Sequence, residues 1–157
     1  LFRCFKQMLK IRPDAFLVIL GDGPVRKKLE QLAQELGIDH RVAMPGKVDR
    51  TCVKNFLDES HMFVFSSNSE SFGVALIEAL ATGLPVLSTR CGGPESFMTD
   101  DVGLLVPKEN EDAFFKGMCS MMSMPFSEPL IRSYAKKQFH EASIAQRYLA
   151  LYYPCIN

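Results

Sequence analysis

The sequence has no excess of charge of either sign and no run of basic residues. Lys and Arg together number 18, as do Asp and Glu, so the formal net charge is zero. We therefore expect no nucleic-acid partner, since binding a phosphate backbone depends on clustered Lys and Arg. No apolar run approaches the ~20 residues that a membrane-spanning helix needs. Hydrophobic residues make up 47% of the 157 residues, which is enough for one domain with a sizeable core.

Cysteine and histidine are few and scattered. The five cysteines form no CxxC pair and no Cys/His cluster, so the sequence predicts neither a metal site nor a disulfide framework. This pattern favours a reducing, cytosolic compartment. The three histidines share no spacing with an acid or a nucleophile. No signal peptide is visible, but the sequence does not begin with Met, and we expect that an upstream segment is missing.

Residues 66–85 read SSNSESFGVALIEALATGLP, and the rest of the chain is organised around this stretch. Its predicted helix, over 74–81, is apolar at every position except Glu78. Because such a helix has little polar face, we expect it to be buried and Glu78 to need hydrogen-bond donors. Short apolar runs at 63–65 and 85–87 flank the stretch and predict strands. Strand, loop, helix and strand in this order form the βαβ pattern of a parallel sheet.

The start of this helix is a predicted anion site. The backbone N–H groups of residues 71–74 lack partners within the helix and lie at its positive end, which suits a phosphate. Gly73 has no side chain to block a close approach. Glu70 precedes the site and Glu78 follows it, about 12 Å away along the axis if the helix is extended back to Glu70. One ligand with a central diphosphate could meet all three features, with a diol at Glu78.

The remaining sequence alternates predicted strands and helices. The predicted strands are 15–20, which we expect to be central, and 41–44, 62–65, 85–88 and 102–106. The predicted helices are 1–12, 25–36, 49–58, 74–81, 109–122, 127–139 and 141–153. This order predicts a single doubly wound α/β domain over residues 1–157 with a parallel sheet. Ligands of such sheets bind at the carboxyl ends of the strands. We therefore expect four loops to converge on one crevice: 21–24, 45–48, 66–73 and 89–95.

A series of short motifs runs along the chain. GDGP at 21–24 is followed by the pair Glu70 and Glu78 within ESFGVALIEALATGLPV, then by GGPE at 92–95 and GLLVP at 103–107. In this order and spacing the motifs resemble the C-terminal half of family 4 glycosyltransferases, the large retaining group with the GT-B fold. The resemblance runs over nearly the whole chain. It implies a Rossmann-like sheet that lacks its first strand.

The resemblance implies a nucleotide-diphospho-sugar as substrate, with no cofactor and no catalytic metal. Glu70 would be the catalytic carboxylate and would hydrogen-bond hydroxyls of the donor sugar near the reacting carbon. Glu78 would accept hydrogen bonds from the ribose hydroxyls, and the backbone at 72–74 would hold the diphosphate. The transfer would retain the anomeric configuration. The substrate-binding residues so implied are Gly21, Asp22, Lys47, Val48, Ser71, Phe72, Gly73, Val74 and Glu78.

The resemblance also implies parts that this sequence does not contain. In the family a strand, an Arg and a Lys precede the position of Leu1, and the two cations neutralise the leaving diphosphate. An N-terminal domain would bind the acceptor, a glycan or a lipid-linked molecule. We therefore expect the chain alone to be inactive. The expected donor is a UDP-, GDP- or ADP-sugar. The full-length enzyme is expected in the cytoplasm, peripherally associated with the inner face of the membrane, in polysaccharide or glycolipid assembly.

Three other functions stay open. An epimerase with the GT-B fold would bind the same class of nucleotide-sugar, and a non-catalytic module could keep the fold for assembly. A dinucleotide-dependent oxidoreductase is disfavoured, because GDGP is not the GxGxxG fingerprint and no acidic residue closes a following strand. A cluster of tyrosines near the end of the chain is predicted to form a patch facing the missing domain: Tyr148, Tyr152 and Tyr153.

Overall fold

The computed structural model of the chain describes residues 1–152. Tyr153, one of the three tyrosines of the predicted patch, lies outside the described residues. Strands and helices alternate as expected for an α/β protein. The strands are β1 Leu17–Leu20, β2 Val42–Gly46, β3 Phe63–Phe65, β4 Val86–Thr89 and β5 Gly103–Val106. The helices are α1 Phe2–Met8, α2 Arg26–Leu36, α3 Arg50–Asp58, α4 Val74–Ala81, α5 Glu111–Met121, α6 Glu128–Phe139 and α7 Glu141–Tyr152. Two short 3-10 helices, Asp39–Arg41 and Gly93–Ser96, are additional to the predicted elements.

Local capping explains where several helices begin and end. The side chain of Asp49 accepts a hydrogen bond from the N–H of Cys52 at 2.8 Å and caps α3, which begins one residue after the start of the predicted helix 49–58. Asn110 caps α5 in the same way, through the N–H of Ala113 at 2.9 Å. Gly37 follows α2 with φ of +69°, a left-handed conformation that glycine adopts without strain. The first helix is shorter than predicted and ends at Met8.

All the strand pairs are parallel. β1 pairs with β2, and β4 lies between β3 and β5. Every residue of β4 is buried, as expected for an interior strand. The prediction that 15–20 is a central strand is wrong, because within residues 1–152 β1 has a ladder partner on one edge only. Its continuous apolar sequence resembles that of an interior strand, but three of its four residues stay half-exposed.

An open groove of about 860 Å³ separates the two sheets. Leu17 and Val18 of β1 line one wall, and Val64 of β3 lines the opposite wall. Helices α1 and α5 supply further apolar lining through Met8 and Met118. Within residues 1–152, β1 and β3 each have a ladder partner on one edge only, so the groove lies between strands with an open edge.

The two faces of the sheet carry separate apolar cores. One core gathers buried residues of α1, α2 and α5, and the other gathers those of α3, α4 and α6. Val86 and Leu87 are adjacent in β4 and are both fully buried, but Val86 belongs to the second core and Leu87 to the first. Alternation along a strand sends successive side chains to opposite faces. Each such side chain contributes about 1.5–3 kcal/mol to stability through burial.

Helix α7 packs on α6 and has no buried residue. Tyr148 and Tyr152 are 59% and 76% exposed, next to the exposed side chains of Leu149 and Leu151. An exposed apolar patch of this kind marks an interaction surface. The prediction that the tyrosines lie on an uncovered surface is confirmed for these two. Their packing against another domain stays a prediction.

None of the described helices combines the length and the apolar character needed to cross a bilayer.

Candidate functional site

The loops that follow β3 and β4 are joined through Glu70. The backbone N–H of Glu70 donates to the carbonyl of Cys91 at 2.8 Å, and its own carbonyl accepts from the N–H of Gly93 at 2.7 Å. The two loops therefore form one bridge pair outside the sheet, between Glu70 and Gly92. This pairing holds the backbone of Glu70 at the carboxyl edge of the strands, where ligands of doubly wound sheets bind.

The loops that follow β1 and β2 form a second joined pair. The N–H of Gly21 donates to the carbonyl of Gly46 at 2.9 Å, and the guanidinium of Arg26 donates to the carbonyl of Met44 at 2.6 Å. Asp22 is exposed, and its carboxylate accepts from the N–H of Gly23 at 2.8 Å and lies 3.9 Å from the guanidinium of Arg26. The structure thus places two of the predicted site residues, Gly21 and Asp22, beside the loop that carries Lys47 and Val48.

Of the predicted convergence of four loops, the structure shows two joined pairs, one after β1 and β2 and one after β3 and β4. Lys47 is exposed and Val48 is half-buried in the first pair. The predicted residues around Glu70 and α4 belong to the second pair. Within each sheet the strands are parallel, so the two loops of a pair lie at the same edge of that sheet, and the meeting of the two pairs in one crevice stays a prediction.

The turn before α4 leaves backbone donors without acceptors. Gly73 is buried with φ of +97°, and the Cβ of any other residue there would lie 3.3 Å from Cδ1 of Leu76. Phe72 and Val74 are 50% and 61% exposed, and Ser71 is exposed. The N–H of Phe72 donates to the carboxylate of Glu70 at 3.1 Å. Within the part of the chain that the structure describes, the N–H groups of Gly73, Val74 and Ala75 have no acceptor.

The structure corrects the prediction that α4 is buried on all sides. Leu76, Ala79 and Leu80 are fully buried, but Val74 and Glu78 are exposed. Val74 and Glu78 are four positions apart and therefore lie on one face of the helix. The apolar composition of α4 reflects its contact with the sheet and α6 on the opposite face, and Glu78 needs no protein donor because water reaches it. Its carboxylate faces solvent on the same side of the helix as Val74.

Gly92 and Gly93 leave space for the backbone of the turn that precedes α4. A Cβ on Gly93 would lie 2.5 Å from the Cα of Phe72, so this glycine permits the close contact. The carboxylate of Glu95 accepts from the N–H of Gly92 at 3.2 Å and lies 3.6 Å from Arg90. Arg90 therefore has an anionic neighbour in its own loop. The close approach of Gly93 to Phe72 involves the glycines of the GGPE motif at 92–95.

An aromatic cluster beside the turn was not predicted. The rings of Phe72, Phe97 and Phe139 are mutually edge-to-face, with centroids 5.2–6.4 Å apart. Such pairs are worth about 0.5–1.5 kcal/mol each beyond area burial. Phe139 is the last residue of α6, and no local pattern in the sequence connects it with Phe72. Burial also raises the pKa of Tyr134, whose hydroxyl donates to the carbonyl of Phe97.

Metal-ligating side chains are dispersed in the structure. Across residues 1–152, no group of three or more His, Cys, Asp or Glu side chains is arranged to hold a metal ion. The polar groups at the carboxyl edge are instead backbone N–H donors and separate carboxylates. That set suits an anion with hydroxyl groups on either side of it.

The chain is a Rossmann-like α/β domain. Its strands pair in parallel, and the loops after the carboxyl ends of the strands are joined in pairs, one of them beside the start of a helix with free N–H groups. The family follows from comparison with known proteins. The chain belongs to the family of glycosyl transferases group 1, whose model matches residues 1–138. The resemblance read from the sequence motifs is thereby confirmed.

Individual relatives agree with this membership. The chain is 34% identical over 135 residues to the lipopolysaccharide core biosynthesis glycosyltransferase LpsE of Rhizobium meliloti, an alignment that covers 85% of this chain and 38% of LpsE. Sucrose-phosphate synthase from Thermosynechococcus elongatus superposes with a TM-score of 0.82 and 25% identity, covering 96% of this chain and 40% of that one. The fold is therefore the C-terminal half of a GT-B glycosyltransferase.

A third structure carries a nucleotide. Anabaena HepE in complex with UDP superposes with a TM-score of 0.81 and 20% identity, over 97% of this chain and 43% of HepE. At this identity the likeness establishes the fold. The chain spans less than half the length of each of these three proteins.

Proposed function

We propose that this chain is the donor-binding half of a retaining glycosyltransferase and binds a nucleotide-diphospho-sugar at the start of α4. The observation that carries the proposal is the pair of free N–H groups of Gly73 and Val74, with Glu70 before them and Glu78 exposed beyond them. Family membership supports the transferase class. A UDP-sugar is the first donor to test, since the structurally similar HepE was solved with UDP.

The diphosphate would lie at the positive end of α4. The N–H groups of Gly73 and Val74 would donate to its oxygens, and the helix dipole would favour the charge that grows as the sugar leaves. Gly73 brings the backbone close to the ligand because no side chain intervenes. The exposed face of α4 would run alongside the nucleoside, with the carboxylate of Glu78 accepting hydrogen bonds from the ribose hydroxyls.

Glu70 would act at the sugar end of the donor. Its backbone is held by Cys91 and Gly93, so its carboxylate reaches the crevice from a fixed position. Once a donor occupies the site, that carboxylate would exchange the N–H of Phe72 for sugar hydroxyls near the reacting carbon. In this scheme the hydroxyl contacts orient the anomeric carbon, and transfer proceeds with retention while a diphosphate oxygen helps to deprotonate the acceptor.

The acceptor and the second half of the site are further parts of the proposal. LpsE is named for lipopolysaccharide core biosynthesis, which supports a glycan or a lipid-linked glycan as the acceptor class. The acceptor would bind to a second domain, facing the loops at the carboxyl edge. A lipid-linked acceptor would bring the complete enzyme to the cytoplasmic face of a membrane. The chain by itself would bind the donor without transferring sugar.

Calorimetric titration of the chain with UDP, GDP and ADP tests the proposal. We expect one of the three to bind and the Glu78→Gln variant to lose about tenfold in affinity, as expected for a hydrogen bond to a charged group. Glu141→Gln, on the exposed side of α7, is the matched control and should bind as the unaltered chain does. Failure of all three nucleotides to bind, or equal affinity of the Glu78→Gln variant, would contradict the proposal.

A further inference from the structure

Three phenylalanines meet beside the start of α4: Phe72, Phe97 and Phe139, here called the aromatic clamp. The ring centroids of Phe97 and Phe139 are 5.2 Å apart at 88°, those of Phe72 and Phe139 are 6.4 Å apart at 85°, and those of Phe72 and Phe97 are 6.2 Å apart at 62°. Edge-to-face contact is the favoured geometry for aromatic pairs. Each ring therefore contacts the other two.

Helix α6 supplies the fixed side of the clamp. It packs along α4 in the opposite direction, with Arg132 in its first half donating to the carbonyl of Thr82, just after the end of α4, at 3.0 Å. Its last residue, Phe139, consequently lies at the beginning of α4. Tyr134, on the same helix, donates its hydroxyl proton to the carbonyl of Phe97. Helix α6 thus holds Phe97 through a ring contact and a hydrogen bond.

Phe72 is much less buried than Phe97. Its side chain is 50% exposed, whereas that of Phe97 is 8% exposed. The backbone of Phe72 has one hydrogen bond, from its N–H to Oε1 of Glu70, and that bond is lost if the Glu70 side chain turns toward a ligand. Without it, the ring contacts with Phe97 and Phe139 and the close approach of Gly93 are what keep Phe72 in place.

We infer that Phe139 is a positioning residue for the anion-binding turn, acting through the ring of Phe72; this inference rests on the proposed function. Gly73 follows Phe72 at φ of +97° and carries one of the free N–H groups, and Val74 carries the next. Since glycine has the widest backbone freedom, the direction of that N–H depends on how firmly its neighbours are held. Fixing the ring of Phe72 therefore fixes the two donors that follow it.

The clamp also places the site next to the junction of two helices. Helix α6 ends at Phe139, His140 adopts an extended conformation with ψ of 140°, and α7 begins at Glu141. The exposed face of α7 is thus joined to the anion-binding turn through one residue and one aromatic contact. If α7 were displaced and Phe139 moved with it, the ring of Phe72 and the turn would move as well, with no change needed in the sheet.

Amide hydrogen exchange of the ligand-free chain tests the inference directly. We expect Phe139→Ala to speed the exchange of the Leu76 and Ile77 amides, which donate to the carbonyl of Gly73, about tenfold, the change that corresponds to losing two aromatic pairs. The matched control is Phe115→Ala, which removes a half-buried phenylalanine from α5 on the other face of the sheet. Its loss of thermal stability should be similar, with no change at the turn. Phe139→Tyr keeps the ring and should restore slow exchange.

Titration with the nucleotide that the unaltered chain binds provides the second readout. Phe139→Ala should weaken that binding about tenfold, and Phe139→Leu, which keeps the burial but not the ring, should fall between the two. Unchanged exchange at Leu76 and Ile77 in the Phe139→Ala variant, or an equal change in Phe115→Ala, overturns the inference. If the unaltered chain binds no nucleotide, the proposed function fails, and the exchange experiment still decides whether Phe139 positions the turn.

Discussion

The carboxylate of Glu70 accepts a hydrogen bond from the backbone N–H of Phe72, two residues further along, at 3.1 Å. In the ligand-free chain, the acid that precedes the helix therefore holds one of the donors nearest to the predicted diphosphate. A bound anion would meet both a missing donor and a negative charge. Glu70 thus opposes the binding of a simple anion, even though it is expected to assist the binding of a sugar with hydroxyl groups.

We predict that Glu70→Gln binds inorganic pyrophosphate more tightly than the unaltered chain does. The amide removes the negative charge and releases part of the competition for the Phe72 N–H, so the affinity should rise about three- to tenfold. Glu95→Gln is the control, because Glu95 lies in the adjoining loop and its carboxylate accepts from Gly92 instead. Calorimetry at low ionic strength measures both, and a weaker affinity of Glu70→Gln would argue against this role.

We predict that Gly93→Ala weakens nucleotide binding more than it weakens the fold. The added Cβ would lie 2.5 Å from the Cα of Phe72, which forces the turn before α4 to move. Overpacking of this kind typically costs about 1–3 kcal/mol in the free energy of unfolding. Gly23→Ala is the control, since its Cβ meets nothing within 4 Å. Denaturant unfolding and calorimetry separate the two effects, and unchanged binding in Gly93→Ala would show that the turn tolerates the displacement.

We predict that the cap of α3 gives the chain an acid-dependent part of its stability. The hydrogen bond from the N–H of Cys52 lowers the pKa of Asp49 below its ordinary value. A group with a lower pKa in the folded state stabilises the fold above its unfolded-state pKa of about 4, and this stability is lost as the pH falls through the folded-state pKa. Asp49→Asn keeps a good cap without the charge and should lose less stability on acidification.

Thermal melts between neutral pH and pH 3 would measure this difference. The corresponding control is Asn110→Ala, which removes the uncharged cap of α5 and should lower Tm by a similar amount at each pH. A parallel decline of Asp49→Asn and the unaltered chain with falling pH would exclude Asp49 as a source of the acid sensitivity.

We predict that truncation of two neighbouring residues on α6 has very different effects on stability. Ile131 is fully buried in the second core, whereas Leu130 is 67% exposed. Ile131→Ala should cost about 2–5 kcal/mol in the free energy of unfolding through lost burial and a residual cavity. Leu130→Ala should change it by no more than about 0.5 kcal/mol. Urea unfolding of both variants checks the face on which α6 packs, and similar costs would mean that the helix is rotated from this orientation.

Much of the fold follows from local sequence patterns. Apolar runs separated by Gly and Pro located every strand, and the predicted helices 25–36 and 49–58 end at the same residues as α2 and α3. The pairing of the strands was harder to predict. Residues 15–20 are apolar throughout, and this pattern cannot distinguish a strand with two partners from one whose second edge is open.

The candidate site was only partly accessible from sequence. The spacing of Glu70 and Glu78 and the glycine between them indicated the helix start, because these are neighbours along the chain. Glu78 was expected to be buried, since hydrophobicity reports composition and does not tell which face of a helix another element covers. Phe139 was missed, because its contact with Phe72 depends on the antiparallel packing of α6 against α4.

The groove between β1 and β3 affects how the chain behaves at high concentration. Val18 of β1 and Val64 of β3 line it, and each of these strands has one edge without a ladder partner within residues 1–152. A bare strand edge is a template for pairing with other chains, and here two such edges share one slot. A single extended peptide lying in the slot would join the two-stranded and three-stranded sheets into one continuous ladder. Crowded molecules with empty slots would instead be prone to aggregate through these edges.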